Sequence, residues 1–489
     1  MRKVIVIGAG ISGLSAAIYA QRSGFNVIIC EQHNMAGGMC TSWKRKGYLF
    51  EGAVHWMTGS SPKTVLYQLW KETGALGDDI PVTCHDPFYS VEWEGKTLNI
   101  YRDIDKTAEQ LLAISLEDKK IIKSLVKDVK TLEKVQMPVT DIKGVKTENP
   151  KRMSLNLLFG LLPSLPVIGR LNRISCKDYS SFFKHRGIQK LFQFMPDEYC
   201  ASSLLFTLAS LHSGDGGYPE GGSLGMVSGM EKTFKDLGGS LLFNTKVNKV
   251  NINNGKIIGV TMENGFLEAD AVIVTQETIA ACEKLFDVPL KEKWLCDLKE
   301  NITSAVCTFI GIGVRAEIKT SPVPVWTLDT PIKCAGETIN EIGFYNYSGL
   351  KGYAPEGCSA LTTALMGDTY DYWKKAKDEG RYNEEKKSLA DEIIRVLCVK
   401  YPQTEGKIDV IDIATPLTYE RYTGAYHGSW MSVMKPGDKM TGGSGFVKNT
   451  EGLYFAGHRL MPPGGLPVAI VSGRTAAQLV CRQFGVTFK

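Results

Sequence analysis

"VIVIGAGISGLSAAIYAQRSGFNVIICEQ", residues 4–32, is the stretch on which the fold turns. Its leading edge, Lys3–Ile7, is apolar and β-branched, which predicts a strand buried on both faces of a parallel sheet. Gly8, Gly10 and Gly13 end it. The first permits a tight turn, the second lets a phosphate approach the backbone, and the third lets the next helix pack close to the strand. That helix is predicted to start at Ile11 and Ser12, to carry Leu14, Ala17, Ile18 and Tyr19 at helical spacing, and to close at Ser23-Gly24. A second strand, residues 26–30, delivers Glu31 and Gln32 to its end. An acid about 20 residues beyond such glycines accepts hydrogen bonds from a ribose diol, while the pyrophosphate rests at the helix N-terminus. A lone G-x-G-x-x-G is weak evidence, but strand, turn, helix, strand and acid in this order favour a dinucleotide site over an ordinary βαβ unit. NAD and FAD both fit at this point.

The chain has 489 residues, room for two or three domains, and its 43% hydrophobic content is that of a well-packed soluble protein. A formal net charge of +5 is small for this length and no long Lys/Arg block occurs, which argues against nucleic acid as a partner. The 12 cysteines are scattered, without a C-x-x-C pair or a Cys/His cluster at zinc spacing, so neither a metal site nor a disulfide framework is expected. The first strand follows at once, with no basic leader, so the cytoplasm is the expected location.

"MSLNLLFGLLPSLPVIG", residues 153–169, is shorter than the roughly 20 apolar residues a membrane span needs, and Pro163 and Pro166 interrupt it. A core helix or lid is the plainer reading. The sharper one is an apolar element at the mouth of a hydrophobic tunnel, in peripheral contact with a bilayer, with Lys151, Arg152 and Arg170 flanking it.

Further along, "MAGGMCTSW" places Gly37-Gly38 in a second close-contact loop, followed by Met39. Residues 81–213 read as a mostly helical cap with a short hairpin in "YSVEWEGKTLNIY". A glycine-rich loop near Gly214, a helix ending at Gly238-Gly239, a strand running through Val247, a β-meander and the buried strand "ADAVIVT" return the chain to the first sheet. Residues 285–413 carry strand-like pieces at 305–314, 341–347 and 359–366 and a helix over about 384–401 stopped by Pro402, a sheet-based substrate domain. The end, "EGLYFAGHRLMPPGGLPVAIVSGRTAAQLVCRQFG", reads as a strand, a glycine-rich loop and a helix with Pro467 in its first turn and Gly485 at its close. The expected architecture is α/β. A discontinuous Rossmann-like domain (1–80, 214–284 and 414–489) carries a β-meander, a helical cap (81–213) and a mixed-sheet substrate domain (285–413).

Together, "GAGISG" with Glu31, the Gly37-Gly38 loop, the "GG...V" run from Gly238 to Val247 and "GLYFAGH...PPGGLPVAIVSGRTAA" resemble the FAD-dependent family of phytoene desaturases, carotenoid isomerases and retinol saturases, within the wider amine oxidase superfamily. The resemblance covers essentially the full length and implies FAD. It implies that Gly8, Gly10, Ile11, Ser12 and Gly13 meet the pyrophosphate, Glu31 and Gln32 the adenosine ribose, and Gly37, Gly38 and Met39 the central part of FAD. Val247 would meet the adenine, Gly457 and His458 the ribityl-phosphate end, and Gly464, Gly465, Leu466, Pro467 and Val468 the flavin ring. A helix beginning there presents partial positive charge where reduced flavin becomes anionic. Two positions depart from the wider pattern: Met39 stands where amine oxidases commonly carry an arginine, and His458 where many flavoproteins carry an acid.

The resemblance further implies a hydrophobic small-molecule substrate, a polyene or related lipid, whose C=C bonds are desaturated, saturated or isomerised beside the flavin. Such chemistry needs placement against the ring more than a paired acid and base. His55 in "GAVHWM" and Tyr426, His427 and Trp430 in "GAYHGSWM" are the candidate catalytic groups, with core packing as the competing role for each. An amine or amino-acid oxidase on the same scaffold, a non-catalytic prenyl- or lipid-binding protein of the GDP-dissociation-inhibitor type, and a flavin-binding structural protein are the alternatives.

Overall fold

The computed structural model describes residues 1–151, 161–301, 303–320, 322–438 and 442–489. Lys3–Ile7 forms the central strand of a five-stranded parallel sheet in the order Leu453–Phe455, Ala271–Val274, Lys3–Ile7, Asn26–Cys30, Ser240–Leu242. Val4, Ile5 and Val6 are fully buried, as expected of a strand covered on both faces. The helix Ile11–Arg22 follows, and the carboxy-terminal helix Gly465–Phe484 crosses it. They meet at Gly473, where an added Cβ would lie 2.3 Å from the Ser12 carbonyl oxygen; the buried Ser15 hydroxyl donates to the Ile470 carbonyl at 2.8 Å. The two ends of the chain are therefore locked together under one side of the sheet.

The run expected as one strand through Val247 is two elements. Ser240–Leu242 completes the parallel sheet, the chain turns at Asn244 (φ 51°), and Val247–Asn253 opens an antiparallel meander with Lys256–Met262 and Gly265–Glu268. Asparagine tolerates that left-handed conformation, and the Thr245 N–H donates to the Glu31 carbonyl at 2.7 Å, which fixes the turn.

A second sheet of seven strands runs Ile408–Ala414, Cys307–Val314, Ser359–Met366, Glu337–Asn346, Val323–Cys334, Tyr89–Trp93, Lys96–Ile100. Its 12-residue strand Val323–Cys334 has no counterpart among the strands expected from sequence. Pro324 and Pro331 interrupt its pattern, and the pairing slips between Val323 and Trp326 and again between Thr327 and Ile332, the irregularities at which a sheet accommodates proline. The hairpin Tyr89–Ile100, expected among the cap helices, adds to the edge of this sheet through the parallel pair Val325–Val91. Its buried Val91, Leu98 and Ile100 share an apolar core with the helices Ile104–Ile114, Lys119–Leu132, Cys176–Ser181, Arg186–Leu191 and Ala201–His212. Cap and sheet are continuous through that hairpin. The helix Tyr382–Lys400 covers the sheet's other face.

Residues 152–160 of the apolar segment lie outside the described residues; its remainder forms a short turn and the helix Leu165–Leu171. No helix among the described residues is long and apolar enough to cross a membrane.

Candidate active site

The three amino-terminal glycines serve three different purposes. Gly8 turns the chain at φ 102°, a conformation side chains resist. Gly13 does not line the cavity described below. An added Cβ there would lie 2.0 Å from the Gly8 carbonyl oxygen, so it secures the approach of helix to loop. Gly10 has ordinary extended backbone (φ −72°, ψ 177°), and its missing side chain leaves space rather than conformational freedom. Beside it, Gly37 donates its N–H to the Ala9 carbonyl at 2.9 Å, and Gly38 stacks so closely that an added Cβ would be 3.3 Å from the Gly10 Cα. The result is a floor of bare backbone, with Ile11 and Ser12 at the start of the helix on one side and Met39 on the other.

Glu31 is 6% exposed and accepts the Ala9 N–H at 2.8 Å and the His33 N–H at 2.9 Å. It braces the glycine loop while presenting a carboxylate beside it. Gln32 donates to the Tyr422 carbonyl at 3.3 Å, which ties this end to the helix Pro416–Thr423.

A cavity of about 1360 Å³ runs from this floor into the space between cap and second sheet. Gly8, Gly10, Ile11, Ser12, Glu31, Gln32, Gly37, Gly38, Met39 and Val247 line one end. Gly457, His458, Gly464, Gly465, Leu466 and Pro467 line its middle, with Val468 buried behind them. Pro467 is the third residue of the last helix, where its missing N–H costs nothing, and the free N–H groups of Gly465 and Leu466 face no side-chain cap. Gly464 is at φ 95°, and an added Cβ would lie 2.8 Å from His458 Nδ1. That Nδ1 is buried without a protein partner among the described residues. Burial, reinforced by the adjacent Arg459 charge, pushes the His458 imidazole down to about 3, so it is neutral at pH 7. A neutral imidazole can offer a single N–H or a lone pair here, where an acid would offer only acceptors.

Arg459 and Glu277 form an ion pair at 3.2 Å with 1% and 4% of their side chains exposed, and neither is evident from the sequence pattern. Glu277 also caps the helix Thr278–Lys284 by accepting the Ala280 N–H at 2.8 Å. Arg459 donates to the Met431 carbonyl at 3.2 Å and the Ser432 hydroxyl at 2.9 Å, and to the Ser429 hydroxyl. These bonds bracket Trp430, which lines the cavity.

His55 also lines the cavity. Its ring stacks on Tyr345 at 4.5 Å and 11°, and its Nδ1 lies 3.2 Å from the Tyr347 hydroxyl. Behind it the fully buried Glu51 accepts the Ala53 and Val54 N–H groups at 3.0 and 3.2 Å, the Ser223 N–H at 3.0 Å and the Tyr218 hydroxyl at 2.9 Å. That carboxylate holds the His55 loop in place. Burial lowers the His55 pKa, with the Glu51 charge acting in opposition, so its imidazole is neutral at pH 7.

Tyr426 and His427, the other two candidates, do not line the cavity. The chain turns at Gly424 (φ 67°) and His427 (φ 51°), which carries the exposed His427 ring outward between Tyr426 at 4.1 Å and Tyr370 at 4.9 Å. Sequence proximity to Trp430 is what suggested them. The cavity instead gains an aromatic run that no motif announces: Trp56 against Phe88 at 5.3 Å, Phe88 against Phe194 at 6.1 Å, and Phe194 against Tyr89 at 5.3 Å. Away from the cavity, Asp103, Asp105 and His212 bring ligand atoms within 4.8 Å of one another, but Lys130 already pairs with Asp105 at 2.6 Å, the arrangement of a surface ion pair.

A bare glycine floor, a carboxylate at the end of the second strand and an uncapped helix N-terminus together fit a dinucleotide carrying a ring system. Comparison with known proteins agrees. The family of flavin-containing amine oxidoreductases matches residues 11–481. A lycopene-forming phytoene desaturase of Pantoea ananas is 24% identical, over 98% of this chain and 99% of its own. A chloroplastic prolycopene isomerase of an Oncidium hybrid cultivar is 22% identical, over 99% of this chain and 84% of its own. Among solved structures, cyclohexylamine oxidase from Brevibacterium oxydans shares the fold with a TM-score of 0.60 at 15% identity, each chain covered to 99%.

Proposed function

This chain belongs to the family of flavin-containing amine oxidoreductases, and from that premise we propose that it moves hydrogen between FAD and a carbon–carbon bond of a long apolar polyene. The observation that carries this reading is the aromatic wall: Trp56, Phe88, Phe194, Tyr89 and the His55–Tyr345 stack line one cavity with the dinucleotide floor. A flat conjugated chain buries its faces well against such rings, which would orient it toward the middle of the cavity. The relatives named for phytoene desaturation and prolycopene isomerisation support a polyene.

Bound FAD supplies a ring that accepts or returns two electrons with hydrogen. Gly8, Gly10, Gly37 and Gly38 would hold the pyrophosphate, Glu31 the ribose, Val247 the adenine, and Gly457, His458 and the Gly464–Pro467 turn the flavin end. The free N–H groups of Gly465 and Leu466 would favour negative charge at that end. The Glu277–Arg459 pair keeps Trp430 against the space where substrate lies. With Nδ1 engaged by Tyr347, His55 has Nε2 left to take or give one proton, and the neutral imidazole set by burial makes proton acceptance its role at pH 7. Net redox chemistry is the reading adopted, over isomerisation.

Entry from a bilayer surface belongs to the same proposal. Leu162 and Leu165 are 55% and 56% exposed, beside Ile168 and Asn172, which line the cavity. Replacing both leucines with aspartate should cut flotation with liposomes several-fold and leave flavin content unchanged.

The discriminating experiment is anaerobic mixing of the flavin-loaded protein with a conjugated polyene and, separately, with primary amines. Bleaching of the flavin by the polyene alone supports the proposal; bleaching by an amine alone assigns the cavity to amine oxidation.

A further inference from the structure

Glu341, Gly343 and Tyr345 alternate along the strand Glu337–Asn346, so the two polar side chains share one face of the sheet with only a glycine between them. Both line the cavity, as does Tyr89 at the start of the hairpin strand that adds to the same sheet. Tyr345 leaves 37% of its surface uncovered, while burial pushes its hydroxyl up to about 12, so the uncovered surface faces the inner cavity rather than the outer solvent. Burial raises the Tyr89 hydroxyl as well, and the nearby Tyr345 and Glu341 push in the same direction. Both therefore stay phenols, able to donate a hydrogen bond. Among the described residues, no protein acceptor takes either proton.

The third group is an acceptor. Glu341 Oε1 pairs at 2.8 Å with Lys190, whose side chain is 6% exposed and which also donates to the Thr327 hydroxyl. The carboxylate is thus held in place from behind, and no donor among the described residues reaches its Oε2. Two donors and one acceptor, all turned into an otherwise aromatic cavity, form an uncommon wall for a bare hydrocarbon. A hydrocarbon would strip water from all three and return nothing, the expensive way to bury polar groups. A hydroxyl accepts two hydrogen bonds and donates one, the complement of this set.

Building on the polyene reading above, we propose that the natural substrate is a polyene alcohol whose hydroxyl is held by Tyr89, Tyr345 and Glu341. The conjugated chain then runs from this polar pole along the aromatic wall toward the flavin end. The pole fixes which carbon–carbon bond lies beside the ring, so it governs the position of reaction as well as affinity.

The test uses the flavin-loaded protein and three probes in the same detergent micelles: all-trans-retinol, its methyl ether and its deoxygenated hydrocarbon. Binding is followed by the absorption and fluorescence of the polyene. The alcohol should bind at least about tenfold more tightly than the hydrocarbon. The ether, which accepts but cannot donate to Glu341, should lose most of that gain. Tyr345→Phe and Tyr89→Phe should each weaken the alcohol several-fold and leave the hydrocarbon unchanged, which also shows that the cavity is intact. The double variant should bind alcohol and hydrocarbon alike. Equal binding of all three probes by the unaltered protein, or a preference that survives the double variant, overturns the pole. An ether that binds as tightly as the alcohol removes the acceptor and overturns it too. Failure of every probe to bind, with FAD retained, overturns the polyene reading itself and the pole with it.

Discussion

At the dinucleotide end the cavity is made of backbone: Gly10, Gly37 and Gly38 lie against one another without side chains, and Glu31 both braces and lines the loop. Forty-odd residues and more away in sequence, the other end is made of side chains, with His55, Tyr89, Phe194 and Tyr345 brought together from a loop, a hairpin, the cap and a sheet strand. The difference follows from what each end must do. A pyrophosphate is the same in every FAD and is best met by main-chain N–H groups and a helix terminus, which only glycine leaves accessible. A lipid is met by shape and stacking, which many combinations of side chains can provide.

The comparison predicts abrupt losses at the first end and graded ones at the second. Gly10→Val should have the largest effect. The backbone there accepts any residue and the nearest protein atom to an added Cβ is 3.8 Å away, so the chain should fold, yet the branched side chain would occupy the phosphate's space. Flavin absorbance per chain should fall to background, a loss of at least about 3 kcal/mol in affinity; full flavin content would displace the pyrophosphate from this floor. Next comes Glu31→Ala, which should weaken FAD by about 1.5–3 kcal/mol through lost charge-assisted hydrogen bonds, read as a dissociation constant by flavin fluorescence.

Gly464→Ala should act on stability. At φ 95°, with its new Cβ 2.8 Å from His458 Nδ1, it should cost about 1–3 kcal/mol in chemical denaturation. pH sharpens the same region. The His458 pKa drops from the ordinary histidine value of about 6.5 to about 3 on folding, so between those values the unfolded chain binds the extra proton. Stability from this group is intact above about pH 6.5 and is lost as pH falls toward 3. His458→Asn should flatten that part of the pH–stability curve. The smallest effect belongs to His427→Ala: a side chain on the outer surface should change turnover less than about twofold, within the range of surface substitutions.

Legibility in the sequence follows the same division. The dinucleotide frame is readable because it is local: Gly8, Gly10, Gly13 and Glu31 lie in one short run, and glycine spacing carries its own physical meaning. Even there, Gly13 and Val468 turn out to pack behind the cavity, since a motif names positions without saying which way they face. The wall is not readable in this way. Trp56 sits next to His55 in the chain, yet nothing local announces that Phe88 and Phe194 will meet it. Arg459 and Glu277 are 182 positions apart, and only the fold makes them a pair. Tyr426 and His427 show the opposite error, in which nearness to Trp430 in sequence is undone by two left-handed turns. The strand Val323–Cys334 is obscured because Pro324 and Pro331 mask an alternation that the sheet restores by slipping its register.

The most direct test of the whole account is one anaerobic turnover of a conjugated polyene on oxidised, flavin-loaded protein, with flavin absorbance and product mass followed together. Net hydrogen transfer predicts a product lighter by two hydrogens and one equivalent of flavin bleached for each molecule formed; starting from pre-reduced protein, it predicts a product heavier by two and reoxidation in the same ratio. A product of unchanged mass, formed repeatedly by protein whose flavin stays reduced, would contradict it and make the reaction an isomerisation.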